Sequence, residues 1–160
     1  MFKSHPVTSY LKYSFFSALL YIIPAAIFIY DYSYTKSYFL FIGNLLFGIG
    51  IAIFIWLLNN KNSNSKSAGY VIAAGHITAL AGILFAAVLI FVLLLIMAPE
   101  LFKAAAPGTE HITHSPTQLM GNRSIITIML FSAVVGNIIA GSFISILFSS
   151  TIKIFKQKAN

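Results

Sequence analysis

Residues 70–98 read YVIAAGHITALAGILFAAVLIFVLLLIMA, from Tyr70 to Ala98 without one Asp, Glu, Lys or Arg. As unbroken helix this stretch would measure roughly 43 Å, against a bilayer hydrocarbon core of about 30 Å. Length and composition point to a membrane-spanning helix with one end projecting into water or headgroups. Three more stretches share the property: Tyr13–Tyr30, Phe39–Leu58 and Ile125–Phe148. Each is close to the roughly 17–25 residues that a helix needs to cross a bilayer. A soluble domain of 160 residues has no room to bury four such helices on every face. The expected fold is all-α, a polytopic four-transmembrane-helix bundle with both termini cytoplasmic. It forms a single domain over 1–160, with spans at about 13–30, 39–58, 70–98 and 125–148 and an outer loop at 99–123.

Composition agrees. The chain is 59% hydrophobic and only 8% charged, with a mean hydropathy of +0.90, where ordinary soluble domains are about a quarter charged. The net charge of +7 would suit nucleic acid, but its distribution does not. With both termini inside, Lys3, Lys12, Lys61, Lys66, Lys153, Lys156 and Lys158 face the cytoplasm, and Lys36, Lys103 and Arg123 face out. That is the Lys/Arg bias that sets membrane orientation. Asp31, Glu100 and Glu110 all fall on the outer side. The basic tail then serves orientation and anionic headgroups. No basic stretch belongs to a nucleic-acid-binding module, so the expected partner is the lipid bilayer and not nucleic acid.

The chain has no cysteine, which excludes thiol–disulfide exchange, cysteine nucleophiles and thiolate metal sites. A Lys-bearing arm precedes the first apolar stretch, as in a signal peptide. That stretch runs on to Tyr30 and Asp31-Tyr32-Ser33-Tyr34, with no small-x-small cleavage site after it, so an uncleaved first span is expected.

Residues 1–12 are expected as a polar lead-in, with Tyr10 and Tyr13 at the interface. Pro24 cannot donate to the carbonyl of Leu20, so a kink or loosened turn is expected in the first span. The short connection around Tyr32 and Tyr34 makes the first two spans antiparallel neighbours. Trp56 suits an inner-interface anchor, and the stretch from Asn59 to Gly69 reads as a flexible loop. Pro99 to Ala106 reads as a short helix stopped at Pro107-Gly108, followed by loop.

Small residues recur four apart. The rows are Asn44, Gly48 and Ala52 in the second span, and Ala74, Thr78, Gly82 and Ala86 in the third. The fourth span carries Ala133, Asn137, Gly141, Ser145 and Ser149. Such rows let membrane helices approach closely, because lipid supplies no hydrophobic drive between them. They are expected to line the bundle interior, with the option of one being shared with a second copy.

Within the spans the strongly polar candidates are Asn44, His76 and Asn137. Asn137, near mid-membrane, either lines a solute path or makes a helix-to-helix hydrogen bond; its place in a small-residue row favours the second. His76 is an intramembrane ionisable group, by default a proton-relay or ligand candidate. No span holds a carboxylate to pair with it or a second histidine for bis-histidine haem. The three groups are expected at different depths, Asn44 outer, Asn137 middle and His76 inner, a poor arrangement for one catalytic centre. Glu110, His111 and His114, with Glu100 upstream, are zinc- or copper-binding residue types, but their spacing differs from the helical zinc-protease pattern and they sit in loop. Asn122-Arg123-Ser124 is a glycosylation sequon by pattern.

No catalytic residue and no cofactor is expected. The leading functional expectation is a non-enzymatic accessory or scaffold component of a bacterial inner membrane, assembling through its small-residue rows. A homo-oligomer or a membrane-protein partner fits that reading. The alternative is a small oligomeric transporter or channel for an uncharged solute, lined by Asn44, His76 and Asn137 with Gly82 and Gly141. An enzyme built on the outer His/Glu loop ranks third, since the sequence offers no credible nucleophile–base pair.

Overall fold

The computed structural model describes residues 7–31, 36–60, 67–99 and 125–158. They form four helices: α1 (Val7–Asp31), α2 (Tyr38–Asn60), α3 (Ala68–Met97) and α4 (Ile125–Thr151). The last of these continues as helix to Lys158. All four are long and apolar enough to cross a membrane. The expectations for the 99–123 loop beyond Pro99, including the short helix, the sequon and Glu110, His111 and His114, lie outside the described residues.

Two boundaries differ from expectation. α1 begins at Val7, so half of the expected polar lead-in is helix and carries exposed Lys12. Helix α4 runs well past Phe148 into the basic tail. The physical reason is shared. A charge-free stretch measures what can sit in hydrocarbon, whereas a helix can run on beyond it, since lysine is itself a good helix former. α1 remains helical through buried Pro24. α3 starts at an N-cap, Ser67, whose hydroxyl accepts from the Tyr70 N–H at 3.3 Å.

Contacts between the helices fix their directions. Ser14 donates to Thr78 O at 2.8 Å and Tyr10 meets Tyr70 at 3.1 Å, so α1 and α3 run parallel. Tyr10 and Tyr13 pack at a tilt against Phe54, with ring centroids 5.4 Å apart, while Gly50 lies against Ser17 and Gly43 against Tyr21, so α1 and α2 are antiparallel. Gly48 lies against Ala140 and Ile144, and Gly75 against Ser145; α4 is therefore parallel to α2 and antiparallel to α3. Packing is extensive between α1 and both α2 and α3, and between α4 and both α2 and α3. The helices thus stand in the cyclic order α1, α2, α4, α3.

At the centre of this ring sits the fully buried ring of Phe47. A Cβ built at Gly82 would lie 2.9 Å from its Cε2, and one at Gly141 would lie 3.5 Å from its Cε1 and 2.7 Å from Ala79 Cβ. The glycines of the α3 and α4 rows therefore do two jobs. They let these two helices approach, and they leave the hollow that an aromatic ring from α2 fills.

Candidate functional site

The buried positions of α4 form one row: Ile125, Met129, Ala133, Asn137, Gly141, Ser145 and Ser149. At about 100° per residue, a spacing of four drifts by about 40° at each step, roughly 240° over the whole row. A regular α-helix would carry the two ends of such a row to different sides. α4 instead contains a π-turn at Ser132–Gly136, whose extra residue takes back roughly 100° of the drift.

The polar side chains of the bundle gather at this turn. Asn44 of α2 donates from Nδ2 to Ser132 Oγ at 3.2 Å and packs against Gly136, where any Cβ would strike its amide. Tyr21 of α1, fully buried, reaches across the ring to donate to Met129 O at 3.5 Å. Two helices, α1 and α2, are thus tied to α4 at its irregular turn or just before it.

Asn137 closes the turn. Its backbone N–H goes to Val134 O rather than to Ala133 O, as a regular helix would have it. The Ala133 carbonyl accepts from Asn137 Nδ2, at 3.0 Å. Buried carbonyls need donors, and here the side chain of Asn137 supplies one. The other half of the amide is left over: Asn137 is 0% exposed, and its Oδ1 has no hydrogen-bond partner among the described residues.

Of the residues singled out in the sequence, Gly82, Gly141 and Asn137 are buried, and Asn44 and His76 half-buried. Asn44 and the Gly136–Asn137 step are neighbours, closer in level than their expected outer and middle depths. His76 stands apart. Its neighbour Gly75 meets Ser145, two turns and roughly 12 Å along α4 from Asn137. The His76 Nδ1–H donates to Ile72 O of its own helix at 2.9 Å, because a carbonyl can only accept. Elsewhere Thr78 and Ser145 donate to carbonyls of their own helices, Ala74 O and Gly141 O, and the single Ser14 hydroxyl proton is shared between Tyr10 O of its own helix and Thr78 O. Among the described residues no group of three His, Asp or Glu side chains comes together.

Sequence reading missed Ser132, Tyr21 and the π-turn itself. The four-residue spacing of the α4 row does not betray the turn, because α3 keeps the same spacing from Ala74 to Leu94 as regular α-helix. Comparison with protein-family models, with curated proteins and with solved structures finds no match to this chain.

Proposed function

We propose that the chain is a non-enzymatic integral membrane component, an accessory subunit or small scaffold of a bacterial inner membrane with both termini cytoplasmic. The observation that carries this reading is the use of Asn137. Its amide donor is committed to Ala133 O of the π-turn, a task of holding helix shape. The small-residue rows of α3 and α4 are enclosed within the chain, where they seat Phe47 and one another. Contacts with a partner therefore fall on the outer apolar surface, where Leu84, Val88 and Ile96 of α3 and Ile139 and Phe143 of α4 are exposed. The test is native mass spectrometry of the chain extracted from its own membrane in a mild detergent. The reading expects a stoichiometric complex with another membrane protein, whose abundance falls when this chain is deleted. Purification of the chain alone, with no change in any membrane complex on deletion, overturns it.

A second reading, an oligomeric carrier or channel for an uncharged solute, has one observation in its favour: the buried, unpartnered Oδ1 of Asn137. It expects proteoliposomes holding the protein to take up glycerol faster than empty vesicles, and Asn137→Ala to change that rate without loss of protein. Equal swelling of loaded and empty vesicles removes it.

A further inference from the structure

α2 and α4 run side by side in the same direction, and Gly48 lets Ile144 come within 3.2 Å of where a Cβ would stand. Beyond that contact the two helices border a laterally open groove of about 300 Å³, lined by Ile49, Ala52, Ile53 and Trp56 of α2 and by Ile144 and Phe148 of α4. The α2 residues fall at i, i+3, i+4 and i+7, one face of a helix. Ala52 is the short member of that face and forms the floor. Ile49, Ile53 and Trp56 remain 42%, 38% and 53% exposed. The lining is wholly apolar, so it offers a ligand area and shape but no hydrogen bond.

What lies past the groove is of opposite character. α4 continues as helix from Phe148 to Lys158 and carries Lys153, Lys156 and Lys158 in that continuation, with no Asp or Glu anywhere from Ile125 to Asn160. α2 ends at the same side of the molecule, and the residue after it in sequence is Lys61. Trp56, at the groove's lower end, is the residue type that prefers the membrane–water boundary. An apolar slot leading to an unopposed basic helix end matches one amphiphile: a long hydrocarbon chain with an anionic head. We propose that this groove binds one acyl chain of an anionic phospholipid, whose phosphate is held by the basic continuation of α4. The inference rests on the reading of the bundle as membrane-spanning, and needs neither a partner protein nor a transported solute. A neutral lipid fills the groove equally well but gains nothing from the lysines, which favour an anionic headgroup.

The test uses the full chain, delipidated in detergent and titrated with palmitoyl-oleoyl phosphatidylglycerol or with phosphatidylcholine of the same chains, read by native mass spectrometry. One phosphatidylglycerol is expected to be retained at least about fivefold more tightly than phosphatidylcholine. Ala52→Trp, which fills the floor, should bring both lipids to background; Ala52→Leu serves the same end if the larger side chain prevents folding. Lys153→Gln/Lys156→Gln/Lys158→Gln should keep lipid in the groove but erase the preference. Equal retention of the two lipids by the unaltered chain overturns the proposal. So does unchanged phosphatidylglycerol binding in the folded Ala52 variants. A lipid-free dimer that Ala52→Leu dissociates overturns it too, by giving the groove to a second copy. Carbonate washing of native membranes separates the underlying reading. A chain released by carbonate refutes membrane insertion, whereas a retained chain without lipid preference refutes the groove alone.

Discussion

The first hairpin and the second solve the same packing problem with different periods. In α1 the buried residues repeat by sevens: Ser14, Tyr21 and Phe28, then Ser17 and Pro24, then Ala18 and Ala25. α2 does likewise, with Leu40, Phe47 and Phe54, Gly43 and Gly50, and Ile51 and Leu58. A seven-residue repeat averages 3.5 residues per turn, the register of left-handed knobs-into-holes packing. The knobs here are aromatic, and the holes are made by small residues such as Gly43, against which the Tyr21 ring rests. α3 carries both periods: sevens such as Gly75 and Gly82 or Ala79 and Ala86, and a row by fours from Ala74 to Leu94, while the whole buried row of α4 repeats by fours. Spacings above 3.6 drift the other way, toward the right-handed crossings of small-residue helices. Burial follows: 50% of the most apolar window of α2 is enclosed, but only 22% of that of α4. The first hairpin adds aromatic knobs to its own close approach at Gly50 and Ser17, whereas the second meets mainly through small residues.

That difference predicts opposite sensitivities. The four-residue seam should fail when something is added. Gly141→Leu places a branched side chain where even a Cβ would be 2.7 Å from Ala79 Cβ, and should exceed the ~1–3 kcal/mol that overpacking usually costs. The expected result is loss of monodisperse protein in detergent. A stable, well-folded Gly141→Leu chain would mean that α3 and α4 are not in close contact there. The seven-residue seam should fail when something is removed. Phe47→Ala empties the ring from between Gly82 and Gly141, with an expected loss of about 3 kcal/mol in reversible unfolding in mixed micelles. A loss under ~1 kcal/mol would show that the two hairpins close up around the missing ring.

Asn137 falls between these extremes because its two amide ends pull in opposite directions. Asn137→Ala leaves the Ala133 carbonyl without the donor now 3.0 Å away, yet it also removes a buried oxygen that has no partner. Since leaving one buried group unpaired costs about 1–3 kcal/mol, the net destabilisation should be near the low end, about 1 kcal/mol. The sharper readout is local. Amide exchange at residues 133–137 should rise by more than the global stability change accounts for, because the π-turn loses its clasp. Exchange that only follows global unfolding would show that the side chain does not hold the turn.

Much of this was legible in the sequence, and the reason is the cost of charge in hydrocarbon. Four charge-free stretches identify four helices, and the rows containing Gly82 and Gly141 identify the faces that turn inward. The helix ends were less legible, since Lys12 and the lysines after Phe148 are compatible with helix once it leaves the apolar layer. The polar node was half legible. Asn44 and Asn137 stand out as amides among apolar residues, but their partners do not. Ser132 is an ordinary small residue, Tyr21 resembles the interfacial tyrosines near it, and Ala133 contributes only a backbone carbonyl. A π-turn has no composition of its own. A four-residue row does not reveal it either, since α3 carries such a row from Ala74 to Leu94 as regular α-helix.

The smallest predicted effect tests how the hairpins are joined. The Asn44–Ser132 bond at 3.2 Å links α2 to α4, and so crosses from the seven-residue hairpin to the four-residue one. Hydrogen bonds between membrane helices contribute on the order of 0.6 kcal/mol each, since the separated helices find other partners for the same groups. A double-mutant cycle of Asn44→Ala and Ser132→Ala should therefore return a coupling near ~0.6 kcal/mol. Asn44→Ala alone should cost more than Ser132→Ala, because the Asn44 amide also packs against Gly136. Equal single-mutant losses with no coupling would detach the polar node from the join. The π-turn would then be explained by the α4 row alone, as a correction to its drift that needs nothing from the first hairpin.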